Sequence, residues 1–223
     1  PFLCEVSLMK RIAKIEIWMV LAAGLLTLAA AAAALIVDST TDWTYYQSEF
    51  RAILAENFGE VEPEQIPSGI QQIWVEELNR VDRCTTCHLG IEWKGLENVD
   101  QPWASHPRME IFEDHPLSDF GCTSCHGGQG YALSLYDAHG FIEHWEEPLL
   151  SSLVAAEYDP QNPPPLYEIR CNFCHRYERS TSGLTYINRA KELVRSKGCK
   201  VCHVINGEGG SLGPDLTLSL IHI

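Results

Sequence analysis

Apolar and polar positions divide the chain near its N-terminus. From Ile15 to Val37 the residues are almost unbroken apolar (IEIWMVLAAGLLTLAAAAAALIV), with Glu16 at the edge. A run of about 23 such residues is long enough to cross a bilayer as a helix. Lys10, Arg11 and Lys14 precede it and Asp38 and Asp42 follow it. The positive-inside rule then puts the N-terminus in the cytoplasm and the remainder outside. A secretory signal peptide cut within the alanine run is the rival reading. The run is longer than the apolar core of such a peptide, which favours a retained anchor.

Helical spacing returns at Trp43, Tyr46, Phe50, Ile53, Leu54 and Phe58. It predicts a helix over 42–58, capped by Thr41 or Asp42 and stopped by Gly59, with one face in an ordinary core. Glu62-Pro63 and Ile66-Pro67 break the pattern. Ser68 is expected to cap a short helix with Ile70, Ile73, Trp74 and Leu78 on one side. His106-Pro107 and His115-Pro116 place both histidines on loops, because the residue before proline is pushed out of the helical region. Asp159-Pro160-Gln161-Asn162-Pro163-Pro164-Pro165 reads as a stiff, extended linker.

The cysteines change this picture. Eight of the nine fall in four copies of Cys-x-x-Cys-His: Cys84/Cys87/His88, Cys122/Cys125/His126, Cys171/Cys174/His175 and Cys199/Cys202/His203, with Cys4 left over. Such a motif is a covalent c-type haem site. Two thiols add across the haem vinyl groups, and the adjacent imidazole ligates the iron from one face. Paired knuckles could instead hold zinc, but zinc does not ask for a histidine directly after each pair. His is 9 of 223 residues, so four such histidines are not a chance result. A thioredoxin-like pair is disfavoured by the four copies and the lack of a βαβ pattern. Either fate of the apolar run exports the cysteines, which is where haem of this kind is attached.

From Cys84 onward there are about 140 residues for four expected haems. That is too little protein for a conventional core beside four macrocycles, so the haems are expected to be much of the core. The net charge of −14 argues against nucleic acid. It would suit steering toward a basic face on a redox partner, though a solvated acidic surface accounts for it equally well. Gly127-Gly128-Gln129-Gly130 lacks the Lys and Ser/Thr of a phosphate loop; close approach to a haem is the expectation there.

Distal ligands must come from His106, His115, His139 and His144, plus Met109. Three of the histidines are expected to complete bis-histidine coordination of the first three haems, in the order His115 and His139, then His106, with His144 last. Such ligation closes the iron to substrate and suits low-potential electron transfer, whereas an open sixth position permits chemistry.

The run Gly69–Gly90, the two His-Pro pairs and Phe120-Gly121-Cys122-Thr123-Ser124-Cys125-His126-Gly127-Gly128-Gln129-Gly130 resemble a family of membrane-anchored multihaem (tetrahaem) c-type cytochromes. That family is associated with bacterial cytochrome bc-type and related quinol-oxidising respiratory complexes. The resemblance covers most of residues 65–217. It implies electron relay from membrane quinol chemistry to an extracytoplasmic redox-protein acceptor. It also implies an inner-membrane location in a bacterium, with the haem domain on the periplasmic side.

Residues 184–217, with Arg189–Val194 before Gly198-Cys199 and Gly209–Leu216 after it, resemble the first half of a class I cytochrome c domain. There a proline, here Pro214, lies near the proximal histidine, whose ring bonds a backbone carbonyl. That family takes a methionine as distal ligand from further downstream, and Met109 is the last methionine here. Leu218–Ile223 (LSLIHI) matches what a sequencing-library transposon adaptor encodes in one frame, and the chain begins with Pro. A fragment cut at both ends, with a non-native tail over 218–223, is therefore expected, and His222 is not taken as a ligand.

The fold expected is mainly α with extensive loops: one N-terminal transmembrane helix, then a haem-packed multihaem cytochrome c domain. Its parts are a cytoplasmic stub and anchor over 1–40, a helical connector over 41–83, and a dihaem segment over 84–159. The proline-rich linker with the third haem covers 160–183, the start of a class I cytochrome c-like domain 184–217, and the tail 218–223. The function expected is electron transfer without substrate chemistry. A multihaem reductase or oxidase with one open iron, or a subunit of a haem-stacked filament, are the alternatives.

Overall fold

The computed structural model describes residues 2–59, 65–143 and 147–217, with side chains described from Lys14 on. About half of the chain is helical and little of it is sheet. Helix α1 spans Phe2–Ser39, well beyond the apolar run on its N-terminal side. The only glycine within it is Gly24 and it contains no proline, so nothing interrupts a chain rich in Ala and Leu, both strong helix formers. Its stretch Lys14–Ser39, with mean hydropathy 2.5, is long and apolar enough to cross a membrane.

The break after α1 is brief. Thr41 takes an extended conformation (φ −81°, ψ 156°), and helix α2 runs from Asp42 to Phe58, stopped by Gly59 at φ 78°. The boundaries are those the spacing predicts. Phe50 and Leu54 are fully buried on its inner face and meet Leu89 and Leu96 from the loop after the first Cys-x-x-Cys-His motif. Trp93 stands edge-on to Phe50, and the Trp103 indole donates to the Tyr46 carbonyl at 3.0 Å. Gln47, also buried, ties α2 to the same region: its amide donates to the carbonyls of Gly69 (2.7 Å) and Thr86 (3.0 Å) and accepts from the Gly69 N–H.

The short helix expected after Ser68 is not there. An antiparallel hairpin takes its place, β1 (Ile73–Val75) with β2 (Arg80–Asp82), Ile73 opposite Asp82 and Val75 opposite Arg80. A 3₁₀ turn at Glu76–Leu78 and Asn79 at φ 49° close it. Gly69 sits at φ 74°, outside the helical region. Ile73, Trp74, Val75 and Val81 are types that fit a pleated surface. Val75 points inward and is buried, whereas Ile70, Trp74 and Leu78, the face expected to pack, are exposed.

Short helices follow: α3 (Ile111–Asp114), α4 (Leu117–Phe120), α5 (Thr123–His126), α6 (Leu135–Ala138) and α7 (Ser152–Tyr158). Helices α8 (Tyr167–His175) and α9 (Tyr186–Ser196) come next, and a small hairpin, β3 (Val204–Ile205) with β4 (Glu208–Gly209), is the last element. His106 lies in irregular chain before a turn and His115 follows α3, so neither is helical. The Asp159–Pro165 stretch lies largely on the surface, with the Asp159 carboxylate accepting from the amides of Gln161 and Asn162. The helices on its two sides nevertheless meet. Glu147 accepts from Arg80 (2.7 Å) and from Arg170 of α8 (3.3 Å), and Arg170 also donates to the Ser124 carbonyl of α5.

The glycines after the second motif do permit close approach, but to backbone. A Cβ on Gly128 would come within 2.8 Å of the Ala138 carbonyl oxygen, one on Gly127 would meet that of Pro148, and one on Gly130 that of Val81. The amides of Gly128 and Gln129 bond Glu147 and Ala138, and the Gly130 carbonyl accepts from Arg83. These contacts hold the loop after motif two against the first hairpin.

Candidate functional site

All four Cys-x-x-Cys-His motifs form a single helical turn. The His88 amide bonds the Cys84 carbonyl at 2.9 Å, His126 that of Cys122 at 2.9 Å, and His203 that of Cys199 at 3.0 Å. The third motif is the end of α8. A helical turn places positions i and i+3 on one face with i+4 beside them, so each motif presents two thiols and an imidazole together. All eight of these cysteines are free thiols; the side chain of Cys4 lies outside the described ones.

Cover differs between the motifs at Cys202 and at Cys174. Both are exposed, whereas the other six motif cysteines are partly covered. Cys202 closes the short turn Cys199–Val201, and Val201 beside it is also largely exposed. The reason is that the segment after the turn packs on its backbone. The Gly213 amide bonds the Cys202 carbonyl at 2.7 Å, and a Cβ on Gly210 would come within 3.6 Å of the Cys202 Cα. Those contacts fix where Cys202 sits and leave its side chain at the surface. At Cys174, on the last turn of α8, the neighbouring Phe173 is exposed as well.

The structure sets three motif histidines each against one outlying histidine. His88 and His139 have ring centroids 6.4 Å apart, His126 and His106 6.2 Å, and His175 and His115 6.0 Å. Two imidazoles sharing one metal stand about 2 Å from it at nitrogen, which leaves their centroids roughly 6 Å apart. Three pairs at that spacing, with no histidine used twice, is the central geometric fact of the site. His144 lies outside the described residues, as does the 218–223 tail.

Burial keeps several of these rings neutral. It pushes His88 down to about 4, helped by the neighbouring His139 and His126, and it lowers His126, His106 and His139 as well. Neutral imidazole is the form that ligates. The depressed His88 value has a stability consequence with a definite sign. In the chain without bound metal, its contribution is complete above about pH 6.5. It falls as the pH drops from there to about 4, by about 3 kcal/mol in total. Urea unfolding midpoints measured across that window should decline with acid, and a His88→Gln variant should decline less.

The second ring nitrogens differ between sites. His203 Nδ1 bonds the Pro214 carbonyl at 2.8 Å, the contact implied by the class I cytochrome c resemblance. A Cβ on Gly213 would meet the His203 ring at 2.5–3.1 Å. His175 Nδ1 bonds the Glu178 carboxylate at 2.7 Å, and Thr181 Oγ1 donates to the other oxygen of that carboxylate at 2.8 Å. His115 Nδ1 is buried without a hydrogen-bond partner. His106 Nδ1 accepts from the Arg108 amide at 3.2 Å, which puts the proton of the neutral ring on Nε2. Ligation through Nε2 there requires that long bond to be given up.

The thiols bear on the choice between a haem and a thiolate metal site. Burial raises Cys87 and Cys125 to about 11 and pushes Cys171 up. Cys84 is raised by its contact with Cys122, by burial and by Asp82. Asp82, Cys84 and Cys122 lie within 4.8 Å of one another and form the one such donor cluster among the described residues. Both Asp82 oxygens are, however, taken by backbone amides, and neutral thiols are poor metal ligands. The donor set fits a haem better: thiols paired on a helical turn, a neutral imidazole beside them, and a second imidazole at the spacing of an axial pair.

Asp82, Glu147 and Glu178 are not singled out by the sequence. Glu178 stands three residues after His175, a spacing that marks neighbours on a helical surface and is legible. Nothing in the spacing around Asp82 or Glu147 announces contacts that span tens of residues. No family model, curated protein or solved structure matches the chain.

Proposed function

We propose that this chain is a membrane-anchored tetrahaem c-type cytochrome that carries electrons. Haem would be held by Cys84/Cys87, Cys122/Cys125, Cys171/Cys174 and Cys199/Cys202, with His88, His126, His175 and His203 as proximal ligands. A haem held at the exposed Cys202 would be the one best placed to exchange electrons with a partner. His139, His106 and His115 would supply the second ligand at the first, second and third sites. A haem iron between two imidazoles accepts and returns one electron without offering a site to substrate. The one-to-one pairing of motif and outlying histidines carries this reading. The sparse apolar core, in which few hydrophobic side chains outside the α2 contact are buried, supports it.

The residues around each site orient and exclude. The Pro214 carbonyl and the Glu178 carboxylate fix the rings of His203 and His175 and leave Nε2 as the free nitrogen. Phe120 packs on His115 and Phe112 on His106, which limits water at those rings. The reading places the anchor in the inner membrane of a bacterium, with the motifs outside. The partners would be a bc-type or other quinol-oxidising complex and a redox-protein acceptor. The class I cytochrome c resemblance around His203 would make the fourth iron differ from the others, with methionine as its second ligand.

Expression with c-type maturation machinery tests the proposal. Intact mass and a pyridine haemochrome assay should both count four covalent haems, and replacing Cys171 and Cys174 together by serine should leave three. Polypeptide of unmodified mass, or stoichiometric zinc in its place, would sink the reading.

A further inference from the structure

Asp82 is fully buried at the end of β2. One carboxylate oxygen accepts the Cys84 amide at 3.0 Å. The other accepts the amides of Cys122 at 2.8 Å and Thr123 at 2.7 Å. These three N–H groups open the helical turns of the first and second motifs, so one carboxylate grips two motifs, one of them 40 residues on from Asp82 in sequence. The grip is enclosed by glycine. A Cβ on Gly121 (φ 59°) would meet Asp82 side-chain atoms at 2.9–3.1 Å, and one on Gly130 would meet the Asp82 Cα at 3.3 Å. The Cys84 and Cys122 sulfurs lie within 4.8 Å of each other and of the carboxylate.

We infer that Asp82 is a positioning residue that locks the first two redox centres against each other and biases both toward the oxidised state. The inference rests on the haem reading. Thiols this close attach their cofactors side by side. A negative charge fixed at the shared edge opposes the arrival of an electron at either centre, and in a buried setting that opposition is only weakly screened. The carboxylate faces the backbone amides of Cys84, Cys122 and Thr123 and lies within electrostatic reach of His88 and His126; Arg83 points away, donating to Gln72 and the Tyr131 carbonyl.

The test uses the full chain in detergent, with wild type, Asp82→Asn and Asp82→Glu compared. Haem is first counted by intact mass. Wild type without covalent haem defeats the haem reading itself. In loaded Asp82→Asn, a redox titration should show two of the four midpoints raised at least tenfold in reduction equilibrium, 59 mV for one electron, with the other two unmoved. Asp82→Glu keeps the charge and should hold those midpoints. Loaded Asp82→Asn with all four midpoints unchanged, or all shifted alike, overturns the inference. Where Asp82→Asn does not accumulate, paramagnetic resonance of oxidised wild type decides. Two of the three low-spin signals from the closed sites should be split or broadened by mutual coupling, and three independent signals overturn the side-by-side arrangement.

Discussion

Replacing His139 by alanine is expected to open one of the three bis-histidine iron sites and leave the other two closed. His139 follows α6, is half-buried, and stands edge-on to Phe141, with its carbonyl accepting the Leu149 amide. The substitution keeps that backbone bond and removes mainly the ring facing His88. Wild-type protein should show low-spin iron at the first three sites. The variant should gain a high-spin fraction equal to one haem, and its reduced spectrum should shift with carbon monoxide by the same fraction. A His139→Ala spectrum identical to wild type would remove His139 from the ligand set. The His126 site should be the easiest of the three to open by exogenous imidazole, because His106 gives up the Arg108 amide to bind.

The second large effect concerns stability. Glu168, on α8, is buried, and its two oxygens accept the amides of Thr185 (3.2 Å) and Ile187 (2.9 Å) at the start of α9. It caps α9 from another helix, since the residue at the N-cap position, Thr185, makes no side-chain capping bond. Glu168→Ala takes the acceptor from two partly covered N–H groups, a loss of about 2 kcal/mol. The urea midpoint should fall accordingly, and hydrogen exchange at residues 185–187 should accelerate first. Glu168→Gln should recover part of the loss, because an amide still offers one accepting oxygen. An unchanged midpoint in Glu168→Ala would show that α9 is held by its apolar contacts instead.

The legible parts of this chain are the ones set by local spacing. The apolar run, the α2 boundaries and the loop positions of His106 and His115 follow from periodicity, capping and proline geometry over a few residues. The hairpin at 73–82 escapes such a reading because Ile70, Ile73, Trp74 and Leu78 fit a helical stripe, while three-residue strands are too short to declare a period of two. The glycine-rich loop signals close approach, but its true neighbours, the backbones of Pro148, Ala138 and Val81, are distant in sequence. The four motifs look alike in sequence, yet Cys202 stands at the surface while Cys84 does not, because cover comes from segments outside the motif. The histidines that face the motifs can be nominated from their number. Which stands against which depends on long-range packing that no window of the sequence contains. Asp82 is the extreme case: an ordinary acidic residue by spacing, and the junction of two motifs in space.

The three histidine pairs interleave. His88 to His139 encloses His106 and His126, and His115 to His175 overlaps that span and crosses the proline-rich stretch. A chain severed anywhere between residues 88 and 175 therefore separates at least one pair. The proline stretch looks like a place to divide the molecule, yet the region from His88 to His175 is indivisible, and only the fourth motif lies outside the weave. Trimming or recombining this protein leaves complete sites only when the cut falls outside that interval.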